Sequence, residues 1–400
     1  MTDVFIGRQP IFDRYLKVYA YELLFRRSDE DESHFVDGNQ ATSQVILNTF
    51  LDIGLDEIVG QKRAFINLTR DFLVEDNPLP FPKDRVVLEI LEDVKVDSAV
   101  VAAVKRFKEQ GHTIALDDFV FKKEWLPLVK VADIIKIDVL AYEREKIRVL
   151  VEKLRNYPCK LLAEKIETHE DYEYFQLIGF DLFQGFFLSR PVIVKGQRIP
   201  ANKINTLQLM AKLNDPDVSV EELDTIISRD VSLSFKMLRY INSAFFALPR
   251  EVESIRQAIV LLGLKSVKRW ATLMAMSEVD DKPHELFTIS LTRARLCELM
   301  AEYTGQPNPE MYFTMGLFST LDALMDSPID EVLSSLPLAP ELQAALTRHE
   351  GTPGAYLKAV KSYERWQWRS ETPLPLEPPV MQKLYLESLS WSLRALAGVA

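Results

Sequence analysis

Thr113-Ile114-Ala115-Leu116-Asp117, Ile134-Ile135-Lys136-Ile137-Asp138 and Leu161-Leu162-Ala163-Glu164 follow one another along the chain, each a short apolar run that ends on a charged residue. Runs of this length rich in Ile, Leu and Ala have the signature of buried strands. Between the second and third lies Arg144 to Asn156, where Ile147, Leu150, Val151 and Leu154 fall on one helical stripe. Strand, helix and strand at this spacing predict parallel pairing through crossover helices. The rhythm extends outward in both directions. Upstream stand Ala64-Phe65-Ile66-Asn67-Leu68 and Val86-Val87-Leu88-Glu89-Ile90, with a helical pattern over Ser98 to Glu109, and downstream stands Leu182-Phe183-Gln184. With Tyr19 to Phe25 as an earlier strand, the count fits a closed TIM-like (β/α)8 barrel better than a small open sheet.

The placement of polar residues carries the chemistry. Strands covered on both faces are ordinarily apolar throughout. Here the runs carry polar side chains near their C-terminal ends: Glu22, Asn67, Glu89, Asp117 with Asp118, Lys136 with Asp138, Glu164 and Gln184. In a parallel barrel those ends converge on one mouth, where active sites form. A single acid at a strand end is commonly a cap or a salt-bridge partner, but the repetition needs another explanation. Gathering so many carboxylates is costly unless each is compensated. Divalent cations held by oxygen ligands are the simplest compensation.

Taken in order, Gln9-Pro10-Ile11-Phe12-Asp13, Glu22-Leu23-Leu24-Phe25-Arg26, Phe65-Ile66-Asn67-Leu68, Leu88-Glu89-Ile90-Leu91-Glu92, Ala115-Leu116-Asp117-Asp118-Phe119, Ile135-Lys136-Ile137-Asp138, Ala163-Glu164-Lys165-Ile166-Glu167 and Gln184-Gly185-Phe186 form a set. From about Val4 to Pro191 the chain resembles the EAL-type cyclic di-GMP phosphodiesterases. The resemblance implies hydrolysis of cyclic di-GMP to linear pGpG with one or two Mg²⁺ or Mn²⁺ ions. It makes Glu22, Asn67, Glu89 and Asp117 ligands of a first metal, and sets Asp117 and Asp118 facing a second. It makes Glu164 the general base, with Lys136 steadying the attacking water and Asp118 beside them. It places Arg26, Gln9, Gln184 and Asp138 on the substrate side. Three positions depart from the family. Val120-Phe121-Lys122-Lys123-Glu124-Trp125 replaces a Gly-Thr-Gly and serine-rich loop, Lys165 replaces a glycine, and Leu23 replaces an alanine. Lys122, Lys123 and Lys165 are therefore candidates to set an ammonium where a metal would otherwise sit, or else to point into solvent. The activity expected is a phosphodiesterase or a receptor for cyclic di-GMP and metal; the alternative is a wholly non-catalytic scaffold acting through protein contacts.

After Pro191 only helical signals remain. Val192 to Pro200 is expected to be a linker, which divides the chain into a barrel domain over 1–193 and an all-α domain over 194–400. Ser219 with Glu222 and Ser254 with Gln257 are capping-box pairs. Gly263 is a helix stop, and a proline-rich break precedes a last helix from about Val380 to Leu396. Ile226 to Asp230, Tyr240 to Phe245, Ile255 to Gly263 and Met315 to Phe318 resemble the HDOD domain, a relative of HD-type metal phosphohydrolases. Where those enzymes carry a His-Asp pair this chain has Ser319-Thr320, and neither His284 nor His349 has a histidine partner one turn away. Both histidines are expected at a surface or interface, and the domain is expected to bind an unidentified protein partner rather than to catalyse. Phe245 and Phe246 are expected in its core, and Trp366 and Trp368 on an exposed patch.

The bulk composition agrees with a signalling protein of this kind. A hydrophobic share of 47% and a charged share of 27% fit a soluble globular chain. The net charge of -11 excludes broad affinity for nucleic acid or an anionic membrane. Cys159 and Cys297 cannot form a disulfide framework and fit a reducing compartment. No signal-peptide order opens the chain, and no apolar run approaches the roughly 18 residues of a spanning helix. A cytoplasmic location is expected, with barrel dimerisation implied by the resemblance.

Overall fold

Eight strands close into one barrel in sequence order: β1 (Val4–Asp13), β2 (Val18–Arg27), β3 (Arg63–Leu68), β4 (Val86–Ile90), β5 (Thr113–Leu116), β6 (Ile134–Asp138), β7 (Lys160–Ile166) and β8 (Leu182–Gly185). The structure, a computed structural model, describes residues 4–27, 54–74, 82–189, 201–215, 217–248, 251–277, 279, 282–365 and 375–399. The expected linker, Trp366 and Trp368 lie outside the described residues. From β2 to β8 each strand is parallel to the next.

The first strand departs from the sequence reading, which began the barrel at Tyr19. β1 runs antiparallel to both β2 and β8 and closes the barrel between them. A tight turn replaces the first crossover helix. In it the Asp13 carboxylate accepts from the backbone N–H of Tyr15 at 2.8 Å and of Lys17 at 3.0 Å. Leu16 takes the left-handed conformation, with φ 57°. Pro10, which would break a central strand, lies just past the point where pairing with β8 stops at Ile11.

Side chains of a barrel strand alternate between interior and exterior. One interior layer consists of Ile11, Ala20, Phe65, Val87, Ala115, Ile134, Leu162 and Leu182, one from each strand and none more than 2% exposed. Two positions further along each parallel strand, and two positions back along the reversed β1, come Glu22, Asn67, Glu89, Asp117, Lys136, Glu164, Gln184 and Gln9. The period of two therefore puts these eight polar residues in one ring above an apolar floor. Each buried Ile, Leu, Val or Phe of the floor contributes about 1.5–3 kcal/mol relative to exposure, which offsets part of the cost of the polar ring.

The crossover helices are amphipathic. In α3 (Ser98–Glu109) the Asp97 side chain caps the first turn by accepting from Ala99 and Val100 N–H groups. In α5 (Arg144–Leu154), Ile147, Val151 and Leu154 are buried on the predicted stripe. Between them stands α4 (Leu126–Val129); α1 (Leu55–Val59) and α2 (Arg70–Val74) precede this pair, and α6 (His169–Ile178) follows it.

The chain separates into two compact units, Met1–Leu188 and Ser189–Ala400. The second is helical among its described residues. It opens with α7 (Ala201–Leu213), α8 (Val220–Arg229), α9 (Val231–Ile241), α10 (Ile255–Leu262) and α11 (Leu264–Ser277). The reciprocal Ser219–Glu222 capping box starts α8, and Gly263 at φ 84° ends α10. Next come α12 (His284–Tyr303), α13 (Pro309–Phe318), α14 (Leu321–Met325), α15 (Ile329–Ser334), α16 (Pro340–Arg348), α17 (Gly351–Glu364) and α18 (Pro378–Val399). α12 is buried on nearly every side and packs against α13 and α18. No helix among the described residues is long and apolar enough to cross a membrane.

Gly316 sets how closely α12 and α13 approach, since a Cβ there would lie 2.5 Å from the backbone of Ala294. Gly316→Ala is expected to destabilise the helical unit by about 1–3 kcal/mol. Urea unfolding followed by circular dichroism measures this, and an unchanged midpoint would mean that the helices separate without cost.

Candidate metal centre

The polar ring is organised around one ammonium. Lys136, at 1% exposure, directs its Nζ between carboxylates from four other strands or strand ends. It bonds Glu89 Oε1, and lies 2.8 Å from Asp117 Oδ1, 2.9 Å from Glu164 Oε1 and 3.4 Å from Glu22 Oε1. On the far side Gln184 Nε2 donates to Glu22 Oε2 and, at 3.1 Å, to Gln9 Oε1. One buried cation thus faces four carboxylates.

The proton affinities follow from this imbalance. Burial pushes Glu89 well above the usual carboxylate range, against the pull of Lys136. Burial likewise pushes Glu164 up to about 8. Asp117 shifts the other way: the cost of its burial is outweighed by the charge and hydrogen bond of Lys136. For Lys136 itself burial opposes the charge, but Glu164, Glu22, Glu89 and Asp117 together hold the ammonium well above its ordinary value.

Acceptors remain in surplus. Asn67 Oδ1, Glu89 Oε2, Asp118 Oδ1, Glu164 Oε2 and Gln184 Oε1 are all buried and without a hydrogen-bond partner. Leaving such an atom unsatisfied costs about 1–3 kcal/mol. Oxygens from Asp117, Asp118 and Glu164 also lie within 4.8 Å of one another. A set made only of oxygen donors, with no histidine or cysteine in the ring, fits a hard divalent cation such as Mg²⁺ or Mn²⁺.

Local backbone devices aim these groups. The β7–β8 register shifts between Ala163 and Ile166, a bulge just where Glu164 stands in the ring. Gly185 permits the close approach there, since a Cβ would lie 2.0 Å from the Ile166 carbonyl oxygen. Lys165, inside the bulge, adopts φ 58°, and Asp118 adopts φ 36°. The Lys165 ammonium pairs with Asp138 Oδ2 at 2.5 Å and stands 3.9 Å from Asp118 Oδ2. Lys122 and Lys123 are exposed. Their loop is anchored instead by the buried Phe119, whose N–H donates to the Lys136 carbonyl at 3.0 Å and whose ring meets Phe121 and Trp125 edge-on.

The structure therefore brings together Gln9, Glu22, Asn67, Glu89, Asp117, Lys136, Glu164 and Gln184, with Asp118 and Asp138 at the rim. The backbone of Arg26 pairs with Phe5 in β2, while its side chain lies outside the described residues. Two features escaped the sequence reading. Lys136 is the hub of the ring rather than an accessory to it, and its only signal was a lysine inside an otherwise apolar strand. The bulge at Lys165 had no signal beyond the missing glycine.

In the helical unit the Ser319-Thr320 position is filled by internal bonds. Thr320 and Ser290 hydroxyls are bonded to each other, and Arg293 donates to Ser319 Oγ at 3.3 Å. The same guanidinium makes a forked pair with Glu364, with contacts of 2.7–3.0 Å. His284 is exposed and His349 is half-buried. His349 caps α16 at φ 54°, with Nε2 3.5 Å from Lys361 Nζ, and burial beside Lys361 pulls its pKa down to about 4. Phe245 and Phe246 are half-buried and pack against Trp270.

The closed barrel with oxygen donors gathered around a buried lysine at its strand ends has relatives among known proteins. Residues 51–191 match the EAL domain family and residues 199–326 the HDOD domain family. YuxH of Bacillus subtilis, an uncharacterized protein, is 37% identical over 97% of this chain and 98% of its own length. CdgJ of Vibrio cholerae, named as a cyclic di-GMP phosphodiesterase, is 32% identical over 98% of this chain and 93% of its own length. The chain belongs to the family of proteins that join an EAL domain to an HDOD domain. Among solved structures, an EAL domain protein from Listeria monocytogenes is 19% identical, with a TM-score of 0.37 over 47% of this chain and 87% of its own.

Two stability measurements test this electrostatic arrangement. With a chelator present, Lys136→Met is expected to cost about 3–5 kcal/mol, because it strands buried carboxylates, and added Mn²⁺ is expected to restore part of the loss. Guanidinium unfolding at pH 7 reads both effects. For His349 the folded value of about 4 lies below the ordinary 6.5, so its contribution is complete above pH 6.5 and is lost as pH falls through 4. His349→Asn, which tolerates positive φ, is expected to flatten the stability profile across that window.

Proposed function

We propose that the barrel hydrolyses one phosphodiester bond of cyclic di-GMP to give linear pGpG, using divalent cation held by its strand ends. The observation that carries this reading is the ring of eight polar side chains, one per strand, whose leftover buried oxygens call for positive charge. The full-length relative named as a cyclic di-GMP phosphodiesterase supports the choice of substrate.

Each residue has a role that follows from its surroundings. Glu22, Asn67, Glu89 and Asp117 would hold a first cation, and Asp117 with Asp118 face the side where a second could sit. Bound divalent ions would lower the pKa of a water and stabilise negative charge on the phosphoryl oxygens. Lys136 orients Glu164 through Oε1 at 2.9 Å, which leaves the unpartnered Oε2 to accept the proton of the attacking water. The Lys136 ammonium also places positive charge beside the site where the transition state gathers negative charge. Gln184 and Gln9, bonded to each other, form one wall for the substrate, with Asp138 and Arg26 as further substrate contacts. The helical domain would serve as a protein-interaction module, and the whole as a signal-transduction protein of the cytoplasm.

Incubation with cyclic di-GMP and Mn²⁺ tests the proposal, with chromatography of pGpG as the readout. Glu22→Ala and Glu164→Gln are each expected to lower turnover by at least about 100-fold, the scale of a lost general base or a lost ligand. Equal product from wild type and both variants would remove catalysis from this ring. Binding of cyclic di-GMP with Ca²⁺ but no product from the wild type would make the barrel a receptor.

A further inference from the structure

We infer that Lys165 takes the place of a second divalent ion beside Asp118, so that this barrel binds one such ion where its carboxylates have room for two. The inference rests on the metal-dependent reading above and adds to it the number of ions.

The geometry is specific to one side of the ring. Asp117, Asp118 and Glu164 offer oxygens within 4.8 Å of one another, a spacing that a single cation could bridge. Glu164, only 7% exposed, keeps Oε2 unpartnered, and Asp118 keeps Oδ1 unpartnered. The other Asp118 oxygen, Oδ2, faces the Lys165 ammonium at 3.9 Å. Asp138 holds the same ammonium at 2.5 Å. Lys165 directly follows Glu164 in the bulge, and its positive φ departs from the strand alternation that places Glu164 in the ring.

Two further observations bear on Lys165, whose side chain is half-exposed. Lys165 adopts φ 58°, a conformation in which a lysine is strained and a glycine is not. The position thus tolerates an unfavourable residue whose side chain ends between two carboxylates. Lys122 and Lys123, the other lysines beside the acidic segment, are also exposed, and it is Lys165 whose ammonium reaches Asp118 and Asp138. A divalent ion approaching Asp118 would meet a like charge within one carboxylate's width. The ammonium carries a single charge and donates hydrogen bonds, so it neutralises Asp118 and Asp138 without serving as a Lewis acid.

The ion count separates the possibilities. Full-length wild type, Lys165→Gly, Lys165→Asn and Lys165→Arg would be titrated with Mn²⁺, with free ion counted by electron paramagnetic resonance and heat by calorimetry. Circular dichroism would first establish that each is folded. Wild type and Lys165→Arg are expected to bind one Mn²⁺ per chain. Lys165→Gly and Lys165→Asn, both compatible with positive φ, are expected to bind two, with the spin coupling of a close Mn²⁺ pair. Two ions in the wild type would overturn the inference while leaving the metal-dependent reading intact, and so would one ion in all four proteins. A second ion in Lys165→Gly alone would also overturn it, since backbone relief rather than charge would be the cause. No ion in any of them would remove the inference and the reading beneath it together.

Discussion

The barrel's interior depends on one ammonium surrounded by acids. Lys136 emerges from β6 above the apolar floor and touches carboxylates that belong to β2, β4, β7 and the end of β5. Removing a carboxylate from water costs several kcal/mol, and mutual repulsion adds to it. A single lysine cannot repay this for four ionised acids, so the ring is short of positive charge unless Glu89 and Glu164, whose proton affinities burial raises, take up protons or a cation is supplied. The arrangement is tolerable because the layer beneath is wholly apolar and tightly buried. It is also tolerable because the closed sheet leaves no edge for the strain to open.

Much of this could be read from the chain because a strand repeats every two residues. Phe65 and Asn67, Val87 and Glu89, Ala115 and Asp117, Ile134 and Lys136, and Leu162 and Glu164 are the same pair in successive strands: floor, then ring. That regularity gave both the barrel and the convergence of its acids. What it could not give was direction. Ile11 and Gln9 form the same pair in reverse order, which only an antiparallel strand can use, and Pro10 between them masks the strand altogether. Hydrophobic pattern reports which face a residue takes, not which way its strand runs. The bulge was hidden for a related reason. Its cause is the contact of Gly185 with the Ile166 carbonyl across the β7–β8 pair, which no local segment contains.

The loop after Asp118 shows how a substituted sequence can keep a site in place. Glycines at Val120 and Lys122 would allow free turning, and the residues present do not. Instead Phe119 is buried under the ring, tied to the Lys136 carbonyl and flanked by Phe121 and Trp125. Asp117 and Asp118 are thereby held by aromatic packing on one side and by lysines on the other.

The two units of the chain contain buried polar clusters of opposite character, and the contrast identifies which one needs a ligand. In the helical unit Arg293 and Glu364 form a forked pair, Ser319 accepts from the same guanidinium, and Thr320 bonds Ser290. No carboxylate or amide oxygen of that cluster is left buried without a partner among the described residues. Such a cluster is complete in itself, and a metal would have to displace an internal cation to enter. At the barrel's polar ring the orphaned atoms are carboxylate and amide oxygens, gathered at the strand ends. Folding alone gains nothing from leaving those oxygens bare. Their surplus is explained if the ring is finished by something the polypeptide does not supply, and among common groups a divalent cation is the one that oxygen donors alone can hold.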